Sequence, residues 1–226
     1  MLALLLVLVL GNVDVDVVSL PVSNDVRALL APSGRMDLRR EGNVSRVHID
    51  IDRIGAAATL APAMNTYVVW AISPEGVLDN LGELDVNGTK AQFNGTTRLT
   101  EFGVLITAEP HYMVDRPSAS VAYRSQSQDV RHKTASVQTG LYDYSKLMPI
   151  SGTGVHRSVT QARTAFQIAK VLGADRSAPQ EFRNAQVAIG SLEELVMRAA
   201  PLDILWPTAN EAIRWSEKAA EVARQR

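Results

Sequence analysis

An acid and a base stand two residues apart at Glu109-Pro110-His111-Tyr112, a pairing that could move protons if both side chains met in one pocket with tuned pKa values. Pro110 ends the apolar run before it, which puts the pair at a strand end, and no nucleophile elbow, phosphate loop or dinucleotide fingerprint accompanies it. His48, Asp50 and Asp52 project to one face of a predicted strand. Positions i and i+2 on a strand lie roughly 6–7 Å apart, wide for sharing one small ion without a partner strand, so these three read as a solvated face. The chain has four His, at positions 48, 111, 132 and 156, and no two have the i,i+4 spacing of a helical zinc site. Cys is absent, which removes thiol catalysis, disulfides, cysteine metal sites and a thiol-linked lipid anchor together. The expectation is a protein that is not an enzyme, with no catalytic residue, cofactor or metal.

With 226 residues, 46% of them hydrophobic, and a formal net charge of -1, the chain can bury a sizeable core. A balance so near neutrality argues against nucleic acid, whose binders need a basic surface to release counterions. Asn43-Val-Ser45, Asn87-Gly-Thr89 and Asn94-Gly-Thr96 are N-x-Ser/Thr sequons in or beside predicted turns. In a secreted chain Asn43, Asn87 and Asn94 are candidate glycosylation sites, although Asn-Gly also simply makes good turns.

Met1 to Leu10 is wholly apolar. That is short of the about 20 residues a spanning helix needs, so no stable transmembrane helix is expected, but it suits the apolar region of a secretory signal. No basic residue precedes it and no small-x-small cleavage site follows, so residues 1–11 read as signal-like or as a retained strand. Beyond Gly11, Val13, Val15 and Val17 alternate with Asp14 and Asp16, the pattern of a half-buried strand. Val47, Ile49 and Ile51 repeat it after a turn at Glu41-Gly42-Asn43. Val13, Val15, Val17 and Leu20 are the candidate assembly residues: an apolar strand at the start of the chain can complete a neighbour's sheet, and such a head-to-tail contact propagates into a filament. The other reading is an ordinary edge strand of its own domain.

The chain is organised around Thr66 to Ser118. Tyr67-Val-Val-Trp-Ala-Ile72 and Phe102-Gly-Val-Leu-Ile-Thr-Ala-Glu-Pro110 are β-branched and aromatic runs, with Asn80-Leu-Gly-Glu83 between them and Arg116-Pro-Ser118 after. Trp70 is expected in the core. About seven or eight short strands at regular spacing predict an all-β sandwich of immunoglobulin-like or Greek-key type. The order of these landmarks resembles the extracytoplasmic domain of anti-sigma-K factors, with Tyr67, Trp70, Gly82, Thr107, Glu109 and Pro110 in matching places. The resemblance implies a small β domain outside the membrane. The family's Gly-Gly after Glu-Pro is His111-Tyr112 here, and no sigma-binding region accompanies the domain, so sigma-factor regulation does not carry over.

From Ser125 the composition turns to Ser, Gln, Thr and isolated charges, which suggests a linker with little to bury. Ser158-Val-Thr-Gln161, Ser177-Ala-Pro-Gln180 and Thr208-Ala-Asn-Glu211 each have the capping-box pattern. Three helix starts are predicted there, with Ala-rich apolar stripes at three- and four-residue spacing. Ala162 to Leu192 resembles the Ala-rich helical domain of bacterial envelope proteins. The expected organisation is 1–11 apolar segment, 12–124 β-sandwich, 125–157 linker, and 158–226 helical hairpin or three-helix bundle with its own core. The expected function is a non-enzymatic extracytoplasmic structural or assembly protein, secreted or at the cell surface, whose partner is itself as a homo-oligomer or filament. The alternative is an envelope-associated protein-binding module that captures another envelope protein.

Overall fold

The computed structural model describes residues 12–126, 132–150 and 154–226; the apolar segment expected at 1–11 lies outside them. Among the described residues twelve strands precede the α-helices: β1 Val13–Val18, β2 Leu20–Pro21, β3 Val26–Ala31, β4 Gly34–Glu41, β5 Val44–Ile51, β6 Thr66–Ile72, β7 Leu78–Glu83, β8 Asp85–Asn87, β9 Lys90–Thr97, β10 Glu101–Glu109, β11 Val121–Gln126 and β12 Thr134–Thr139. The helices are α1 Arg157–Val171, the single turn α2 Ala174–Ser177, α3 Pro179–Met197 and α4 Leu202–Arg224. Among the described residues no helix is long and apolar enough to cross a membrane.

Ten strands form one antiparallel sheet in the order β7-β6-β10-β11-β3-β4-β5-β9-β8, with β2 added to β10. The sheet curls until its two ends meet: the Thr97 hydroxyl on β9 donates to Asp79 Oδ2 on β7 at 2.7 Å. The result is a nearly barrel-like β domain followed by helices. The expectation of a β part and a helical part holds, but the main strands share one hydrogen-bonded path instead of dividing into two facing sheets. Strands β4, β5 and β9 show why curling suffices. Their side chains alternate inward and outward, so Met36, Leu38, Val47, Ile49, Ile51, Ala91 and Phe93 fill the interior while the outer wall stays polar.

Strands β6 and β10 differ, because both their faces are buried. Tyr67, Val69, Ala71, Phe102, Val104 and Ile106 point inward. Val68, Trp70, Ile72 and Leu105 point outward and are covered by Val17, Ala135 and Val137. Those three belong to a separate two-stranded ribbon in which β1 pairs antiparallel with β12, Val15 opposite Val137. The ribbon crosses so closely that a Cβ on Gly103 would lie 2.4 Å from Val17 Cγ2; only glycine fits beneath it. Part of the stretch expected to be a linker is therefore a strand, because its alternating Ala135 and Val137 have an apolar wall to cover.

The helices share the barrel's core and also have one of their own. Ile168, Ala169, Phe182, Ala219 and Ala220 belong to the same apolar cluster as the barrel interior, as do Met64, Tyr144 and Leu147. A second cluster of Val159, Ala162, Ala165, Ala188, Leu192, Ala209, Ala212 and Ile213 holds α1, α3 and α4 together. The apolar stripes fall where their spacing predicts; the starts do not all follow the caps. Helix α1 is capped by His156, whose side chain accepts from the Ser158 amide. Helix α3 begins at Pro179, with no side-chain cap. Helix α4 begins at Leu202, a turn and a half before Thr208, whose hydroxyl donates to the Ile204 carbonyl inside the helix.

Trp70 is fully buried under the ribbon and its Nε1 donates to Thr107 Oγ1 at 2.8 Å. Trp70→Ala should cost about 3–5 kcal/mol in denaturant unfolding, the usual range for emptying a large aromatic site. A variant that melts like the parent would show that the ribbon does not seal this face.

Candidate functional site

The landmarks from Thr66 to Ser118 converge at the end of the barrel that faces the helices. Trp70 Nε1 donates to Thr107 Oγ1, and the Thr107 hydroxyl donates to Glu109 Oε1. The Ser118 amide donates to the same oxygen at 2.7 Å, and the Ser118 hydroxyl to the Ala108 carbonyl at 2.7 Å. Arg116-Pro-Ser118 is thus the turn that closes the chain back onto Glu109. Glu109 is fully buried, and Oε2 has no hydrogen-bond partner. Burial pushes its carboxyl up to about 8, against the pull of Ser118 and Thr107, so it holds its proton at neutral pH.

Two residues further on, His111 is also fully buried but faces helix α4. Its Nε2 lies 3.3 Å from Glu217 Oε2, off the line of a good hydrogen bond, since neither atom has a hydrogen-bond partner. Arg224 Nη1 donates to Glu217 Oε1 at 2.7 Å, and its guanidinium carbon sits 3.9 Å from the Tyr142 ring centroid. The Tyr142 hydroxyl donates to Asp115 at 2.9 Å. Burial alone would raise the Glu217 carboxyl; His111 and Arg224 outweigh it and hold Glu217 below its ordinary value. The Tyr144 hydroxyl is buried beside these groups, and burial together with Glu109 pushes it well up.

A third set binds α1. Asn65 Nδ2 donates to the Pro110 carbonyl and to Thr164 Oγ1, both at 2.9 Å. Glu83 Oε1 accepts from the Thr66 hydroxyl at 2.6 Å and from Gln161 Nε2 at 2.9 Å. Gln161 Oε1 accepts from the Tyr112 amide at 2.9 Å. Gln161 was expected to close a capping box; it reaches the barrel instead. Asn80 Nδ2 pins the loop by donating to the carbonyls of Tyr112 and Val114 at 3.0 and 2.8 Å.

Glu109 and His111 therefore lie in adjoining but different networks, beneath the helices. A surface cavity of about 290 Å³ nearby is lined by Met64, Ser118, Tyr142, Tyr144 and Leu147, not by that pair. What the arrangement does chemically is hold a neutral carboxylic acid and an ion pair out of water while fastening α1 and α4.

The other expected residues are dispersed. His48 Nε2 lies 3.2 Å from Asp50 Oδ2 and its Nδ1 2.8 Å from Asn94 Oδ1. Asp50 also accepts from Arg35 and Gln92; burial would raise its carboxyl, and these partners with His48 bring it below its ordinary value. Asp52 is exposed. Among the described residues no three His, Cys, Asp or Glu groups could hold a metal. Asn43 and Asn87 are exposed at turns, whereas Asn94, expected at a turn, is exposed in the middle of β9. Of the assembly residues, Val13 is exposed and Val15 half-buried, while Val17 and Leu20 are 1% and 3% exposed within their own domain.

Glu217, Arg224, Asp115 and Asn65 were not singled out by the sequence reading. One signal was present: Glu217 and Arg224 sit seven residues apart, on the same side of a helix, beside an otherwise small and apolar stripe. No family model, curated protein or solved structure matches the chain.

An unfolded Glu titrates near 4.5 and the folded Glu109 near 8, so the folded chain binds the extra proton between these values. The stability this residue contributes is complete below about pH 4.5 and is lost as pH rises toward 8. Glu109→Gln removes the titration but keeps the shape. Wild-type stability minus variant stability should therefore fall across that window, by at most about 5 kcal/mol. Urea unfolding at a series of pH values measures it; a flat difference would mean that the carboxyl titrates as it does in water.

Proposed function

We propose that this is a non-enzymatic extracytoplasmic protein of the cell surface or envelope, in which the β domain serves as a mount for a fixed helical arm that meets a partner. One observation carries this reading: the polar groups that could have served a substrate are used to fasten helices. Asn65 bonds Thr164, Glu83 and the Tyr112 amide bond Gln161, and His111 faces Glu217. The resemblances to anti-sigma-K extracytoplasmic domains and to Ala-rich envelope helices agree in compartment, and with them the chain is an envelope-associated binding module.

Strand addition through the N-terminus is the second reading. In its favour, β1 is held only in a two-stranded ribbon outside the main sheet, a pairing that a neighbour's strand could replace. Against it, Val17 and Leu20 already serve their own domain.

Deleting residues 1–20 separates the two. With β1 needed in its own domain, the deletion should strip Trp70 and Leu105 of their cover and lower the melting temperature of a chain that is monomeric at every concentration by light scattering. A parent that polymerises, and a deletion variant that stays folded but no longer does, would overturn the binding-module reading in favour of a filament.

A further inference from the structure

Val171, Leu172 and Val187 are exposed elsewhere on the helical arm, but its largest group of exposed apolar side chains lies at one end. In the run 197–207, which ends α3, turns, and begins α4, Met197, Leu202, Ile204 and Trp206 are 78%, 48%, 47% and 54% exposed. The only charges there are Arg198 and Asp203, which cancel. Farther along α4 the exposed face is charged, with Arg214 paired to Glu211 and Lys218 to Glu221. Large apolar side chains clustered where charge would be cheaper mark an interaction site, whereas isolated ones need no explanation.

The turn is also built to hold that cluster out. Ala199 has φ 50°, a left-handed conformation that costs a non-glycine residue roughly 1–2 kcal/mol. It is tied by its own amide to the Val196 carbonyl and by the Ala200 amide to the Leu195 carbonyl. Pro201 precedes α4 and Pro207 sits within it, each fixing its own φ. The tip is preformed.

We propose that this tip inserts into the interfacial layer of a phospholipid bilayer and docks the arm on a membrane surface. The size of the patch decides between a bilayer and a second copy. Aromatic side chains bury roughly 150–250 Å² each and aliphatic ones somewhat less, so these four, from about half to more than three quarters exposed, offer on the order of 400 Å². A stable protein interface takes about 800 Å² per partner. A bilayer sets no such minimum, since shallow burial by about 5–10 Å suffices and Trp favours the boundary between headgroups and acyl chains. Because Arg198 and Asp203 cancel, insertion is driven by apolar burial and does not require anionic lipid. The inference rests on the proposed function in that the helical arm is what meets a partner, and it names that partner as a bilayer; deletion of residues 1–20 tests the former and co-sedimentation with vesicles tests only the latter.

The test is co-sedimentation of the full chain with vesicles of phosphatidylcholine alone and of phosphatidylcholine mixed with phosphatidylglycerol. The parent should pellet with both. Trp206→Ser combined with Ile204→Ser should lower the partition by about tenfold or more in a chain that still unfolds cooperatively, because about half of each residue already lies in water. Failure to pellet overturns the proposal. So does pelleting that the double variant leaves intact, which would assign it to another surface, or pelleting only with anionic lipid, which would assign it to charge. Self-association without lipid that the double variant abolishes would make the tip a contact between copies, and also overturns it.

Discussion

Strands β6 and β10 carry apolar side chains on both faces, and neither face can be left in water without forfeiting most of what drives the fold. The inner faces are covered by curling the sheet. The outer faces need a second layer, which the β1–β12 ribbon supplies over Trp70 and Leu105. Both strands of that ribbon come from far apart in the chain, so the start of the described chain and the segment after β11 are brought together by the need to cover one wall. Gly103 marks how tight the cover is.

The same two strands impose a second demand where they end. Glu109 is the last residue of β10 and its carboxyl is fully buried on the side of Thr107 and Trp70, where an unpaired charge would be prohibitive. Retaining the proton, with Thr107 and Ser118 supplying hydrogen bonds to one oxygen, is the lower-energy solution. His111 lies just beyond the end of β10 and is enclosed by α4, where the Glu217–Arg224 pair is itself completed by Asp115 and the Tyr142 ring. The hydrogen bonds and ion pairs these buried groups do make favour one arrangement of arm and barrel, because other arrangements would strand them as well.

The outer wall over β3, β4, β5 and β9 follows the opposite rule. Arg27–Asp37 and Arg35–Asp50 lie across neighbouring strands, and Arg39 on β4 pairs with Asp25 just before β3, all at 3.1–3.3 Å. Exposed as they are, such pairs contribute little stability singly; they keep the outer wall of the curled sheet polar. Charged pairs lie along the wall, whereas large apolar side chains are exposed at the arm's far end.

The amino-acid sequence by itself determined the periods. Alternation in 44–51 places Val47, Ile49 and Ile51 inside, the unbroken runs of β6 and β10 demand burial on both sides, and the Ala-rich stripes of the last third become the faces on which α1, α3 and α4 meet. These properties depend on neighbours within a few residues, so they are legible in order along the chain. What covers each buried face is not a local property. Val17 meets Val68, Trp70 or Leu105 only after the sheet has curled, Thr97 meets Asp79 only at closure, and a carboxamide patterned for a helix cap, Gln161, is claimed by Glu83 because the barrel end presents a better partner. Tertiary structure decided that part of the expected linker is a strand, that the helices share the barrel's core as well as their own, and that the acid and base at Glu109 and His111 face different neighbours. The physical reason is that a residue's period fixes which way it points, while packing alone fixes what it points at.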